Sequence, residues 1–138
     1  MRVLALDYGS ARCGCAISDP TGTIVTPIET VERPATKGGM ARLRELVATR
    51  EPELVLVGLP LSLNGGDTAQ TRETREFAQR LSDVLKQRGE GVSVELYDER
   101  FTTRLAQRSG ERAGGARSSE DSRAAAHLLE SWLTARSR

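Results

Sequence analysis

Aromatic residues are scarce, with one Trp, two Tyr and two Phe in 138 residues. That excludes a surface that holds nucleic acid mainly by stacking bases on rings. Cysteine is limited to Cys13 and Cys15, and histidine to His127. These are too few, and His127 too distant in sequence, for a Cys/His metal site. Residues two apart on a strand share a face, but a bridge between them would be strained. Both thiols are therefore expected to be small buried side chains. His127 has no nucleophile to serve and reads as structural or exposed. No apolar run approaches the roughly 20 residues of a membrane span. No leader precedes the first strand-like run, so a cytoplasmic location is expected. Lysine is nearly absent: 18 of the 20 basic residues are Arg. Arginine suits bidentate phosphate contacts, although a genome rich in Arg codons accounts for the bias as well. The Gly-containing stretches lack the following Lys of a P-loop.

What is present fits a single domain spanning residues 1–138 around one core. The formal net charge is +1, but it is unevenly spread. Residues 1–99 carry 12 basic and 15 acidic groups, and residues 100–138 carry 8 Arg and 4 acids. The asymmetry points to an anionic partner near the C-terminal third. Val3-Leu4-Ala5-Leu6 is an unbroken apolar run of strand length that ends on Asp7 and then Gly9. A second strand is expected over 14–19. A third is expected over 23–31, interrupted by Pro27, which fits an edge position or a bulge. Short connections make these three an antiparallel meander. A helix follows over 40–50, then a buried strand over 54–58, a helix over 68–87 and a strand over 92–96. A helix from Thr102 or Thr103 to about Gly110 and a last helix over 120–136 complete the chain. The loop 59–67 lies where α/β proteins place ligands. The element order is that of an α/β, RNase H-like fold: a five-stranded mixed sheet, its first three strands antiparallel, flanked by helices.

Three acid sites fall where this fold would gather them. Asp7 ends the first strand, Asp98 and Glu99 end the last, and Asp121 lies at the start of the final helix. Asp121 is four residues before Ala125 in an apolar stripe of Ala124, Ala125, Leu128, Leu129 and Trp132, so it shares the buried side. Converging carboxylates repel one another and favour a hard divalent cation, Mg²⁺ or Mn²⁺. Such a site suits phosphodiester hydrolysis. Each acid also has a plain alternative. Asp7 suits a turn before Gly9, Asp98 and Glu99 suit a helix start, and Ser118-x-x-Asp121 resembles a capping box. Arg100, Arg104 and Arg108 repeat every four residues and form either a phosphate-binding stripe or a solvated face. Arg12 is a further candidate phosphate contact. The Asp-x-Gly of the first strand also suits a sugar kinase or ATPase of duplicated architecture, but those chains are much longer.

The ordered motifs resemble the YqgF (RuvX) family, small bacterial relatives of the RuvC resolvases. They are Leu6-Asp7-Tyr8-Gly9 with Arg12 and Gly14, Ala16-Ile17-Ser18-Asp19, Val57-Gly58-Leu59-Pro60-Leu61 and Asn64-Gly65. Asp98-Glu99-Arg100-Phe101-Thr102-Thr103 and Asp121-Ser122 with Ala124-Ala125 and Leu128-Leu129 complete the set. The resemblance spans nearly the whole chain. It implies an RNase H-like endonuclease with Asp7, Glu99 and Asp121 at the metal. Glu99 is preferred to a supporting Asp98 because distant relatives keep an acid at that place. It implies maturation of the 5′ end of precursor 16S rRNA, with Holliday junction resolution as the alternative. Structured RNA or branched DNA would be the partner, and the resolvase role would need a homodimer. A non-catalytic nucleic-acid-binding module is a further alternative. Two departures stand out: Ala11 replaces a usual Lys, and the usually Lys-rich loop before the last helix is Glu111-Arg112-Ala113-Gly114-Gly115-Ala116-Arg117.

Overall fold

The computed structural model describes residues 1–87, 89, 91–102 and 117–137. Strands β1 (Val3–Tyr8), β2 (Arg12–Ser18), β3 (Val25–Glu32), β4 (Leu54–Leu59) and β5 (Ser93–Asp98) form one sheet in the order β3-β2-β1-β4-β5. β1 pairs antiparallel with β2, and β2 with β3. β4 runs parallel to both β1 and β5. The expected mixed sheet with an antiparallel meander is what the chain adopts. β3 is one continuous strand on the edge, where Pro27, opposite Ala16, can lack an N–H without breaking an inner ladder. The ladder slips between Cys13 and Cys15, yet both thiols remain buried and unbridged.

Helices α1 (Lys37–Arg50) and α2 (Ala69–Gln87) cover one face of the sheet, and α3 (Arg117–Arg136) covers the other. Successive strand residues point to opposite faces, which sorts β1 cleanly. Leu4, Leu6 and Tyr8 join Leu43, Leu46, Phe77, Leu81 and Leu85 beneath α1 and α2. Val3 and Ala5 join Leu54, Leu56, Leu128, Leu129 and Trp132 beneath α3. Each fully buried Leu or Phe of these clusters contributes about 1.5–3 kcal/mol. Asp7 continues the Val3–Ala5 row and so faces α3.

Two helix starts and the facing of the last helix differ from the sequence expectation. α1 begins three residues earlier than Met40, because Thr36 caps it by accepting from the Gly39 N–H at 3.1 Å. Gly39 is required there, since a Cβ would lie 2.1 Å from the Arg33 carbonyl oxygen. α3 is already helical at Arg117, so Ser118 lies within it and Asp121 stands in its second turn rather than its first. Ala124 is exposed, whereas Ser122, Ala125 and Ala126 are buried. The helix is therefore rotated so that Ser122 continues the buried stripe. The expected helix after Thr102 lies outside the described residues. Thr102 itself closes a 3-10 turn, Glu99–Phe101. Among the described residues no helix is long and apolar enough to cross a membrane.

Candidate active site

β1, β4 and β5 are parallel, so their C-terminal ends meet on one edge of the domain. Asp7 sits at that edge on the α3 face. Its two lateral neighbours on that face are glycines. Gly14 of β2 pairs directly with Asp7. Leu6 pairs with Val57, which sets Gly58 of β4 on the other side. Each glycine makes room for another acid. A Cβ on Gly14 would stand 1.9 Å from the Asp121 carbonyl oxygen. The α3 backbone thus lies directly on β2. A Cβ on Gly58 would stand 2.7 Å from Glu99 Oε1 and 3.0 Å from both Glu99 Cγ and Leu128 Cδ2. The Glu99 side chain lies in the groove that this missing side chain leaves.

Parity separates the two adjacent acids at the end of β5. Tyr97 packs on the α3 cluster, its hydroxyl 3.0 Å from Ser131 Oγ. Asp98 is therefore turned away, and Glu99 returns to the α3 side. Asp98 accepts from the Arg100 backbone N–H at 2.9 Å and from its guanidinium at 2.6–3.1 Å. Those hydrogen bonds hold its carboxyl below the usual range.

Asp7 and Glu99 share a hydrogen bond. Burial raises the Asp7 pKa from 3.8 to about 8, helped by the charge and hydrogen bond of Glu99 and the charge of Asp121. Burial also raises Glu99, against the opposing effect of its bond to Asp7. The pair is best described as one proton donated by Asp7 to a Glu99 carboxylate, with Asp121 adding negative potential.

Asp121 is drawn to the side. Arg12 Nε donates to its Oδ2 at 3.0 Å, with the two side chains 25% and 35% exposed. Ser122, next along α3, donates to the Ile28 carbonyl at 2.7 Å and accepts from the Cys15 N–H at 3.4 Å. The helix is thus pinned to both β2 and β3 one residue beyond the acid. Among the described residues no three Asp, Glu, Cys or His groups are gathered to the spacing of a preformed metal cage.

Of the basic candidates, Arg12 is thus engaged with a carboxylate. Arg100 is held by Asp98 and donates to the Leu63 carbonyl at 3.4 Å. Arg104 and Arg108 lie outside the described residues. His127 is half-buried, 3.8 Å from Glu130. Gly14, Gly58 and Ser122 had no assigned role in the sequence reading. Gly58, a lone glycine in the apolar run of β4, is the kind of signal that marks a close approach. A cavity of about 350 Å³ opens beside Gly9, lined by Tyr8, Ser10, Ala69, Gln70 and Glu73. It holds none of the three acids. The Tyr8 hydroxyl is pushed up to about 12, first by burial and then by the charge of Glu73.

Gly58→Ala is expected to leave the chain folded but push Glu99 off Asp7, weakening Mn²⁺ binding about tenfold. That is the scale of losing a supporting group at a metal site. Calorimetric titration checks it, and unchanged affinity would remove Glu99 from the site.

The profile of the RuvX family, described as "Holliday junction resolvase", matches residues 1–135. A "Putative pre-16S rRNA nuclease" of Mycobacteroides abscessus is 40% identical over 142 residues, covering 99% of this chain and 83% of its own. Its namesake in Streptomyces coelicolor is 42% identical over 137 residues, covering 96% and 79%. Among solved structures, T. thermophilus RuvC in complex with a Holliday junction substrate aligns with a TM-score of 0.64 at 15% identity, over 99% of this chain and 96% of that one. The fowlpox virus resolvase in complex with Holliday junction DNA aligns with a TM-score of 0.59 at 12% identity, covering 100% of both chains. At such identity the structural likeness speaks for the fold, while the family profile and the relatives near 40% identity carry the assignment: the chain belongs to the RuvX family of nucleases.

Proposed function

We propose that this nuclease hydrolyses phosphodiester bonds in precursor 16S rRNA near its 5′ end, as a cytoplasmic endonuclease using Mg²⁺ or Mn²⁺ at Asp7, Glu99 and Asp121. One observation carries the metal-site reading. Asp7 is buried at the end of β1 against Glu99, within reach of the Asp121 charge, and burial first and these acids second raise its pKa to about 8. The donor set is all carboxylate oxygen, which fits a hard divalent cation. Bound there, such a cation would activate a water, polarise the phosphate and steady the leaving oxygen. The protein's own part is placement. Asp7 and Glu99 give up their shared proton and offer two carboxylates from rigid strand ends, and α3 supplies the third. Arg12 and Arg100, bonded to Asp121 and Asp98, would supply phosphate contacts that add affinity without reading sequence. The curated relatives' names support RNA as the substrate.

The test is cleavage of a precursor 16S rRNA 5′ fragment and of a four-way DNA junction, side by side, with Mn²⁺ or Mg²⁺. The RNA is expected to be cut at a defined site and the junction left whole. Glu99→Gln should remove cleavage. Asp98→Asn, altering an acid committed to Arg100, should stay within about tenfold of wild type, the low end for a supporting group. The reverse order would exchange the two roles. The family description favours one second reading, a junction resolvase. That reading needs two sites on one symmetric junction, hence a dimer. Paired symmetric cuts by a dimeric species would establish it. Metal-independent binding with no cleavage of either substrate would favour a binding module.

A further inference from the structure

The contact between Arg12 and Asp121 does not serve the three-acid arrangement as drawn. Asp121 already stands beside two acids that would share a cation, yet its Oδ2 is bonded 3.0 Å away to an arginine 109 residues earlier in the chain. The placement is firm on both sides. Arg12 opens β2 beside the Asp7–Gly14 pair. Asp121 is locked over Gly14 by backbone contact and by the two Ser122 hydrogen bonds. The guanidinium therefore occupies the charge-neutralising position that a divalent cation would take on that oxygen. Both side chains are partly exposed, so the pair is held by a modest energy and can open without unfolding.

We propose that Arg12 is the resident counter-ion of Asp121, displaced when a divalent cation binds, so that metal entry swings a guanidinium from a carboxylate towards the substrate phosphate. This rests on the metal site proposed above. Arg12 acts through Asp121 in the metal-free chain and becomes a phosphate contact only in the loaded one. The exchange makes metal and substrate cooperative. A phosphate that draws Arg12 away frees Asp121, and a cation that takes Asp121 frees Arg12. By linkage each tightens the other equally. A purely positioning role for Arg12, fixing Asp121 for the metal, makes the opposite prediction.

The experiment is a titration of the intact protein with Mn²⁺ alone, without nucleic acid, by calorimetry and by the electron paramagnetic resonance of free Mn²⁺. It compares wild type, Arg12→Gln and Arg12→Lys. Arg12→Gln is expected to bind Mn²⁺ about fivefold more tightly, the effect of removing a weak competing cation. Arg12→Lys, which keeps a cation within reach, should fall back towards wild type. The KM of Arg12→Gln for the RNA fragment should rise even though its metal affinity has improved. Weaker Mn²⁺ binding by Arg12→Gln, or equal binding by all three chains, overturns the exchange while leaving the metal site intact. Absence of Mn²⁺ binding in the wild type overturns the metal site and the exchange together.

Discussion

Asp7→Asn is expected to abolish cleavage and to make the metal-free protein more stable. The first effect follows from removing the central carboxylate of the proposed metal site. Losing even a supporting partner at a metal site costs 10–100-fold, so activity should fall by more than about 100-fold. The second follows from proton linkage. Asp7 titrates near 3.8 in the unfolded chain and at about 8 in the native one. Between those values the native state holds a proton that the unfolded state has lost. Stability from this group is therefore intact below pH 3.8 and declines as pH rises towards 8. Asn mimics the protonated acid, can still donate to Glu99 and does not titrate. In EDTA at pH 8 the variant should be more stable by up to about 5 kcal/mol, roughly 1.4 kcal/mol for each pH unit above 3.8. Near pH 4 the two chains should melt nearly together. Saturating Mn²⁺ should reverse the order by stabilising only the wild type. Melting curves from pH 4 to 9, with and without the metal, check all of this. A wild type whose stability is flat across that range would mean that Asp7 is ionised without a cation.

Gly14→Ala should be the most damaging small substitution on the sheet. The added methyl would sit 1.9 Å from the Asp121 carbonyl oxygen and 2.2 Å from its carbon. Both are backbone atoms, so no rotamer change relieves the clash. α3 must lift from β2, which strains the buried Ser122 hydrogen bonds and loosens Ala125 and Ala126 against Ala16. Overpacking that moves backbone reaches about 3 kcal/mol or more. Denaturant unfolding should show that loss, and Mn²⁺ binding should weaken because Asp121 moves with the helix. A loss below about 1 kcal/mol would mean that α3 slides on the sheet with little resistance. The contrast with Gly58→Ala is informative. There the obstructing atoms belong chiefly to the Glu99 side chain, which can swing away, so function should suffer more than fold.

The sheet was legible because its signals are local. Val3 to Leu6 and Leu54 to Val57 are apolar runs that only a buried strand explains, and Pro27 announced an edge. Asp7 and Asp121 were legible as acids at element ends. Choosing between Asp98 and Glu99 took the family resemblance, because residue type alone does not say which face an acid takes. In the fold, Tyr97 fixes the parity by packing under α3. The Arg12–Asp121 pair was not legible: either residue alone looks like a surface charge, and only the antiparallel return of β2 brings them together. The start of α1 was missed because Gly38 and Gly39 read as loop, whereas Gly39 is there to let the helix pass close to Arg33. The rotation of α3 was missed because a run of three alanines leaves the buried side undetermined until Ser122 finds its two partners.

The sheet also keeps the chain's chemistry and its attachment points apart. The Met1 amino group bonds the Pro20 carbonyl at 2.5 Å, and Arg2 reaches the Arg50 carbonyl at 3.0 Å. The turn at Gly22 lies 3.6 Å, by its notional Cβ, from both the Met1 carbonyl oxygen and Leu133. All of these gather where β1 begins, roughly 13 Å of strand away from Asp7. A dye or bead linked to a cysteine placed at Thr21 would stand clear of any strand being cut. Cys13 and Cys15 are buried, so that thiol would label alone. The domain thus offers a fixed origin for a spectroscopic ruler, from which the arrival and departure of a single substrate can be timed while the carboxylates work undisturbed.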